Sequence, residues 1–445
     1  MSGMNNMSRR QFVAGASGLL LAGAAQGAPK KTANRTPKSK LALHGGEKAV
    51  KSYPSLPLRW GEPERERLEA MLKQNSLFYW KGPQNNLLME RYREICPMKY
   101  VATCSSGTAA IHIAVAAAGI GLGDEVITSP ITDIGTVIGI LYQQAVPVFA
   151  DLGPSTYNLD VADVERRITP KTKAIIPVHL SGNPCDMKAI KALADRHNLI
   201  VIEDSCQAWG AHYRGQPMGT VGDFTCHSLQ NSKQVTCGDG GVVGSNNDKF
   251  GPLLQKLVTK GCDRVSRKGF QTTMFSTNYR MTEPQAAVAA AQLGRLESII
   301  SRRSRLGNLL SEKIAGIPGI MPHEVHPEDR ASYYFYMFRI KPEAFRCDRR
   351  EFVKALVVEG VRAGAGYIRV PIYQEPPFLK HDFFAGRWPV KEMGLTTMDF
   401  TKHRCPEAEA ILETGIKMTI HQAMTEEYIL GAATAIRKVA EHYAV

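Results

Sequence analysis

The sequence predicts an α/β fold in which a large, mostly parallel sheet domain precedes a smaller C-terminal α+β domain. Between residues 100 and 204, short apolar segments rich in β-branched residues alternate with helical segments. This alternation is typical of a parallel sheet covered by helices on both faces. A long alanine- and leucine-rich helix is predicted to begin near Pro284 to Arg302 and to link the domains. Beyond it, strand and helix patterns both recur, which predicts the α+β domain.

The predicted strands are short and bounded by turn residues, and in the first domain they are Tyr100–Thr103, Glu125–Thr128, Pro147–Asp151, Ala174–Val178 and Leu199–Asp204. In the C-terminal part we predict a strand at Tyr333–Ile340 and helices at Arg350–Gly360 and Thr425–Tyr443. The stretch Pro371–Phe400, rich in Pro, Phe and Trp, is predicted to be loop-like.

The composition is that of an ordinary soluble globular protein. The chain has 445 residues, of which 44% are hydrophobic and 22% are charged, enough for two domains. The net charge is +13, but residues 1–40 contain seven basic and no acidic residues, which leaves about +6 for the rest. Without a basic repeat interleaved with aromatics, nucleic acid is not predicted as a partner.

The nine cysteines include no C-x-x-C pair. An odd number without paired spacing argues against a zinc site and a disulfide framework. We therefore predict no metal site and interpret most of the cysteines as small core residues.

The N-terminus carries a twin-arginine pattern. Arg9-Arg10-Gln11-Phe12 precedes an apolar, small-residue run from Ala14 to Ala25, which predicts a twin-arginine signal over residues 1–28 and a linker over residues 29–41. The alternative is a basic tail. The apolar run is too short to predict stable membrane insertion. This interpretation predicts export of the folded protein to the periplasm, or a cytoplasmic location if the signal is not used.

Lys233 stands between a strand-like polar run and the glycine turn Gly238-Asp239-Gly240-Gly241. Lysine amines in such positions can form a Schiff base with a cofactor aldehyde. The hypothesis is a pyridoxal phosphate (PLP) enzyme; the alternative is a surface lysine before a turn.

Residues elsewhere could complete such a site. A predicted strand leads through Ser106-Gly107-Thr108 into a helix, so free N–H groups and the Thr108 hydroxyl could bind a phosphate, although a plain helix cap has the same pattern. Asp204 ends a predicted strand, where a carboxylate could hold a pyridine nitrogen protonated. Further candidates are Gln207 for a ring oxygen, Ser228 for the phosphate, and Asn278 and Arg280 for phosphate or substrate.

In this order, these segments resemble the DegT/DnrJ/EryC1/StrS family of PLP-dependent sugar aminotransferases. The resemblance covers roughly residues 42 to 440, and its matching segments are His44–Glu47, Ser106–Ala110, Val178–Met187, Glu203–Ala211, the Lys233 run with Gly238–Gly241, and Asn278–Met281. It implies the aspartate-aminotransferase type I fold, with a seven-stranded-type sheet in a large PLP-binding domain (residues 42–290) and a small domain (residues 291–445).

The resemblance also implies roles for individual residues. Lys233 would be the Schiff-base lysine and Asp204 the pyridinium partner, while Gln207 would contact the ring hydroxyl. The phosphate ligands would be Gly107, Thr108 and Ser228. Asn278 would reach the phosphate of a neighbouring subunit, which implies a homodimer.

The implied reaction moves an amino group from glutamate or glutamine to a keto sugar or keto-cyclitol. Two positions depart from the family pattern: Asp133 stands where a ring that stacks on the cofactor is usual, and Gly366 stands where many nucleotide-sugar enzymes have histidine. Two alternatives remain. Asp133 prompts another PLP reaction such as elimination or oxidation, and the predicted export favours a non-catalytic ligand sensor, because amino donors and nucleotide sugars are scarce outside the cytoplasm.

Overall fold

The computed structural model describes residues 40–264 and 271–445. The predicted signal peptide and most of the predicted linker lie outside the described residues. A seven-stranded sheet organises the first part of the chain, and its strands, in spatial order, are Tyr100–Cys104, Gly241–Ser245, Phe224–Ser228, Ile200–Asp204, Thr172–Ile176, Glu125–Thr128 and Val146–Phe149.

Only Gly241–Ser245 runs antiparallel to its neighbours in this sheet; the other neighbouring strands pair in parallel. The parallel strands are almost wholly buried, as expected for a sheet covered on both faces. The predicted α/β class with a large, mostly parallel sheet is confirmed. The five strands predicted in this region all form, with ends that differ by at most two residues.

Helices lie between and around these strands, and their bounds are Glu62–Leu72, Pro83–Ile95, Gly107–Ala117, Gly135–Tyr142, Val161–Arg167, Met187–Arg196, Gly251–Val258 and Glu283–Leu293. Two two-stranded ladders, His212–Tyr213 with Gln216–Pro217 and Cys262–Asp263 with Gln271–Thr272, lie outside the main sheet. Among the described residues, no helix combines the length and apolar character needed to cross a bilayer.

The C-terminal part has a four-stranded antiparallel sheet of its own, in the spatial order Ile320–Met321, Tyr336–Ile340, Gly415–Met418 and Ala363–Ala365. Its helices are Leu296–Ile314, Arg349–Val358, Pro376–Lys380, Pro389–Glu392, Pro406–Thr414 and Glu426–Tyr443, with short 3₁₀ turns at Pro342–Ala344 and Ile372–Gln374. The mixture of an antiparallel sheet and helices agrees with the predicted α+β character. The domain boundary at residues 290/291 stays a prediction.

Two local expectations differ from the structure. The long helix expected from Pro284 to Arg302 is two helices, because the chain leaves the helical conformation at Arg295, directly after Gly294, and glycine lowers the stability of a helix. The stretch Pro371–Phe400 is not simply a loop. It contains short helices and buries Phe378, Trp388 and Phe400 against the main core, which explains its aromatic content.

His227 lies on the buried strand Phe224–Ser228, with its ring 4.4 Å from that of Trp209. Burial, followed by the nearby His179, lowers the pKa of His227 from 6.5 to about 3. Below pH 6.5 the unfolded chain therefore binds a proton that the folded chain excludes, and stability falls as the pH drops. We expect His227→Gln to reduce the stability lost between pH 7.5 and 5.5 by about 1.4 kcal/mol, measured by urea denaturation.

Replacing the exposed His197 by glutamine is the matched control, and it is expected to leave that pH dependence unchanged. An equal loss of stability in wild type and His227→Gln would contradict the prediction.

Candidate active site

A cavity of about 270 Å³ opens where several strands of the large sheet end, and it collects most of the predicted site residues. Because parallel strands present their carboxyl ends at one edge, residues far apart in sequence meet there. The predicted residues that line the cavity are Gly107, Thr108, Asp204, Ser228 and Lys233.

The first wall is the beginning of the helix Gly107–Ala117. Ser106 caps it by accepting a hydrogen bond from Ala109 N at 3.0 Å. The N–H groups of Gly107 and Thr108 have no carbonyl partner within the helix. A Cβ on Gly107 would stand 2.7 Å from Ser228 Cβ, so only glycine allows these two segments to approach so closely. N–H groups and hydroxyls converge here as an anion site requires.

Asp204 forms the second wall and is 4% exposed. Its Oδ2 accepts a 2.7 Å hydrogen bond from Thr136 Oγ1, and its Oδ1 accepts one of 3.1 Å from Cys206 N. The carboxylate is thus held by two donors at the end of a rigid strand. Burial, together with Asp204, raises the pKa of Cys206 well above its ordinary value, so the cavity's thiol stays protonated.

Lys233 is 8% exposed, and its backbone N–H donates a hydrogen bond to Gln230 O at 2.9 Å in a tight turn. Its Nζ lies 4.5 Å from the ring centroid of Tyr334. Within residues 40–264 and 271–445, no carboxylate forms an ion pair with Nζ. A nearly buried amine that faces a cavity without a counter-charge is available for covalent chemistry.

Gln207 is buried but does not itself line the cavity. Its Oε1 accepts a hydrogen bond from Ser181 N at 2.9 Å, and its Nε2 donates to Tyr367 Oη at 3.2 Å. Burial, with a smaller contribution from Asp133, raises the pKa of Tyr367, so this phenol stays neutral. Gln207 is therefore connected to the cavity by its hydrogen bond to Tyr367, which lines it.

Asn278 lies outside this cavity. It is exposed, and its Oδ1 accepts a 2.6 Å hydrogen bond from Arg280 Nε. The structure does not bring it together with the other predicted site residues of the same chain.

Asp133 lines the cavity beside Thr108 and Gly135. Its Oδ1 accepts a hydrogen bond from Gly135 N at 2.8 Å, which fixes the carboxylate in an Asx turn at the start of the helix Gly135–Tyr142. The residue that departs from the family pattern is therefore part of the wall.

Sequence reasoning missed Thr136 and Tyr334 as site residues. Thr136 carries the hydrogen bond to Asp204, and Tyr334 Oη lies 2.5 Å from Ser232 Oγ, beside Lys233. For Thr136 a usable signal existed, because its hydroxyl follows, eight residues on, the end of Glu125–Thr128, another parallel strand of the same sheet. For Tyr334 there was none, since it comes from the C-terminal part of the chain.

A family model for the DegT/DnrJ/EryC1/StrS aminotransferase family matches residues 59–437. The chain belongs to this family. That membership confirms the resemblance drawn from the sequence and identifies the chain as an aminotransferase.

Relatives of this family member include GDP-perosamine synthase of Caulobacter vibrioides, 37% identical over 64% of this chain and 76% of the relative. A putative L-glutamine:3-amino-2,3-dideoxy-scyllo-inosose aminotransferase of Micromonospora echinospora is 32% identical over 79% of this chain and 84% of its own. The X-ray structure of an aminotransferase from Psychrobacter cryohalolentis superposes with a TM-score of 0.78 at 28% identity, covering 88% of this chain and all of that one. This likeness confirms the predicted fold.

Proposed function

We propose that this aminotransferase binds PLP in the cavity at Lys233 and moves an amino group from glutamate or glutamine to a keto sugar or keto-cyclitol. The observation that carries the proposal is the cavity itself, because one space is lined by a buried amine, a buried carboxylate and a helix N-terminus. Each of these groups is what a different part of the cofactor needs.

The residues fit the cofactor part by part. Lys233 Nζ, without an ion-pair partner among the described residues, suits a bond to an aldehyde. Asp204, fixed by Thr136, suits a protonated ring nitrogen. The N–H groups of Gly107 and Thr108, with the Ser228 hydroxyl close to Gly107, suit a phosphate.

The chain's own groups would divide the work as follows. When bound, PLP supplies an electron sink and a carbon that carries the amino group between the two substrates. Lys233 Nζ would take the proton from the donor's α-carbon as a base and, in the second half-reaction, would deliver a proton as an acid to the acceptor carbon that receives the amino group. Asp204 would keep the ring nitrogen protonated, and the N-terminus of the helix Gly107–Ala117 would hold the phosphate so that the reacting atoms stay in place.

The proposed substrates rest on the relatives. One is named a perosamine synthase, and another is named for an amino transfer from L-glutamine to an inosose derivative. Both names describe amino groups on sugars or cyclitols, which supports a polyhydroxylated ketone as the acceptor class.

The test is a pair of half-reactions on the PLP-loaded protein. Glutamine or glutamate alone should bleach the visible absorbance of the lysine-bound cofactor and release a keto acid in a 1:1 ratio to sites. A keto-cyclitol or nucleotide-linked keto sugar should then restore the absorbance and yield an amine detectable by mass spectrometry. Ammonia release would instead favour elimination, and no response to any amino donor would favour a ligand sensor.

We also propose that the protein is a homodimer in which Asn278 completes the partner's phosphate site. Supporting this, Asn278 is exposed and is not among the residues that line its own chain's cavity. Large apolar side chains are also exposed, among them Leu58 (81%), Leu72 (75%) and Phe275 (99%), as expected for a surface that another chain covers.

Mixing two inactive variants tests this arrangement. Lys233→Ala and Asn278→Ala proteins are unfolded together and refolded to exchange subunits. If Asn278 acts across the interface, each mixed dimer has one doubly altered site and one intact site, and activity returns. If Asn278 acts within its own chain, every site lacks either Lys233 or Asn278, and no activity returns.

Export by the twin-arginine route is a further part of the proposal. The route carries folded proteins, so PLP could be captured before export. All nine cysteines are free thiols, which is compatible with folding in a reducing compartment. A reporter fused to residues 1–41 should be exported, and changing Arg9-Arg10 to Lys-Lys should stop it. Unchanged export would contradict the proposal.

A further inference from the structure

Arg59 holds the loop that carries Lys233. One terminal nitrogen of its guanidinium donates to Asn231 O at 2.7 Å, and the other donates to Lys233 O at 2.6 Å and to Gln234 O at 3.1 Å. Three carbonyls within four residues of the loop thus converge on one side chain. The planar, forked arrangement of donors in arginine suits this task, and lysine lacks it.

The guanidinium of Arg59 interacts with the carbonyls of this loop and not with a carboxylate of the described residues. Among the described residues no carboxylate forms an ion pair with it, because the nearby Glu64 pairs with Arg295 at 2.5 Å. Burial, and secondly the positive charge of Arg295, lower the pKa of Arg59. A partly buried guanidinium without a counter-ion is costly unless its donors are satisfied, and here the loop carbonyls satisfy them.

The main chain of Arg59 is itself held in place by side-chain hydrogen bonds. Its carbonyl accepts hydrogen bonds from Gln292 Nε2 at 2.9 Å and from an Arg295 terminal nitrogen at 2.6 Å. The opposite side of the loop is fixed by Gln234, whose Nε2 donates to Gln207 O at 2.7 Å. The main chain at Lys233 is therefore held between the sheet core and a segment that precedes the first long helix.

We propose that Arg59 is a positioning residue for the proposed amino transfer, setting where Lys233 Nζ stands by fixing the carbonyl of Lys233 itself. The inference rests on the proposed function. A lysine side chain has four flexible carbons, so the position of its amine depends on a rigid main chain beneath it. Misplacing a reacting group by about 1 Å can cost roughly a hundredfold in rate.

The test compares Arg59→Lys, which keeps the charge and loses the fork, with Arg65→Lys as matched control. Arg65 is exposed, and within the described part of the chain its guanidinium pairs only with acidic side chains of its own helix, so its variant should behave as wild type. For Arg59→Lys we expect kcat to fall roughly a hundredfold, with KM for the amino donor within about twofold. The pH midpoint of the visible absorbance of the lysine-bound cofactor should also shift, because it reports the surroundings of Nζ.

A purely structural role would lower the urea midpoint and leave kcat per loaded site and the absorbance midpoint unchanged, which would overturn the inference. If Arg59→Lys does not fold, Arg295→Lys is used instead, because it removes a hydrogen bond to the Arg59 carbonyl. Its kcat per loaded site and its absorbance midpoint are then measured in the same way. Wild-type protein without lysine-bound absorbance would instead refute the proposed function. Normal wild-type absorbance with an unaffected Arg59 variant would refute the positioning role alone.

Discussion

Replacing Lys233 by alanine is expected to reduce amino transfer by about 10⁴-fold. The reason is structural: Lys233 is the only lysine that lines the cavity, so no other described lysine can supply an amine there. The variant should still fold, because Nζ makes no hydrogen bond or ion pair within the described part of the chain and only its contact with the Tyr334 ring is lost. Steady-state transfer from glutamine to a keto-cyclitol measures the loss.

Covalent trapping gives this prediction a second readout. Borohydride reduction of the PLP-loaded wild type, followed by peptide mapping, should put the pyridoxyl label on the peptide that contains Lys233. The Lys233→Ala protein should carry none, while Lys188→Ala, an exposed lysine, should label normally. A label on another lysine of the wild type would contradict the assignment.

The residues predictable from sequence share one property: each stands at an element boundary that the local pattern reveals. Asp204 ends an apolar strand, Gly107 begins a helix after a strand, and Lys233 precedes a glycine turn. Because ligands gather where parallel strands end, these boundaries can be assigned to one edge of the sheet from the sequence alone.

The remaining parts of the site depend on contacts between segments distant in sequence. Tyr334 approaches Lys233 from the C-terminal part, and Arg59 approaches it from a segment without regular structure. No periodicity marks such residues, since their roles come from tertiary packing. The same limit explains Pro371–Phe400, whose proline content indicated a loop although its aromatic rings are buried in the core.

Replacing Asp204 by asparagine is expected to lower kcat by about 10²–10³-fold while the protein stays folded. Asparagine has nearly the same shape, and its oxygen can still accept the hydrogen bond from Cys206 N. The other contact also survives, because Thr136 Oγ1 can accept from the new amide once its hydroxyl turns toward Thr132, which lies 2.7 Å away. What disappears is the negative charge, and with it the support for a protonated ring nitrogen.

Thr136→Val tests a smaller change at the same carboxylate. It removes one hydrogen bond from the carboxylate and keeps the charge, so kcat should fall only about fivefold to tenfold. Stopped-flow bleaching of the visible absorbance by glutamine measures both variants, and borohydride labelling of Lys233 checks that each still holds the cofactor. Asp204→Asn bleaching within fivefold of wild type would mean that the ring nitrogen takes its proton from elsewhere. An ordered series, in which Thr136→Val falls between wild type and Asp204→Asn, would show that the charge matters more than the hydrogen bond that orients it.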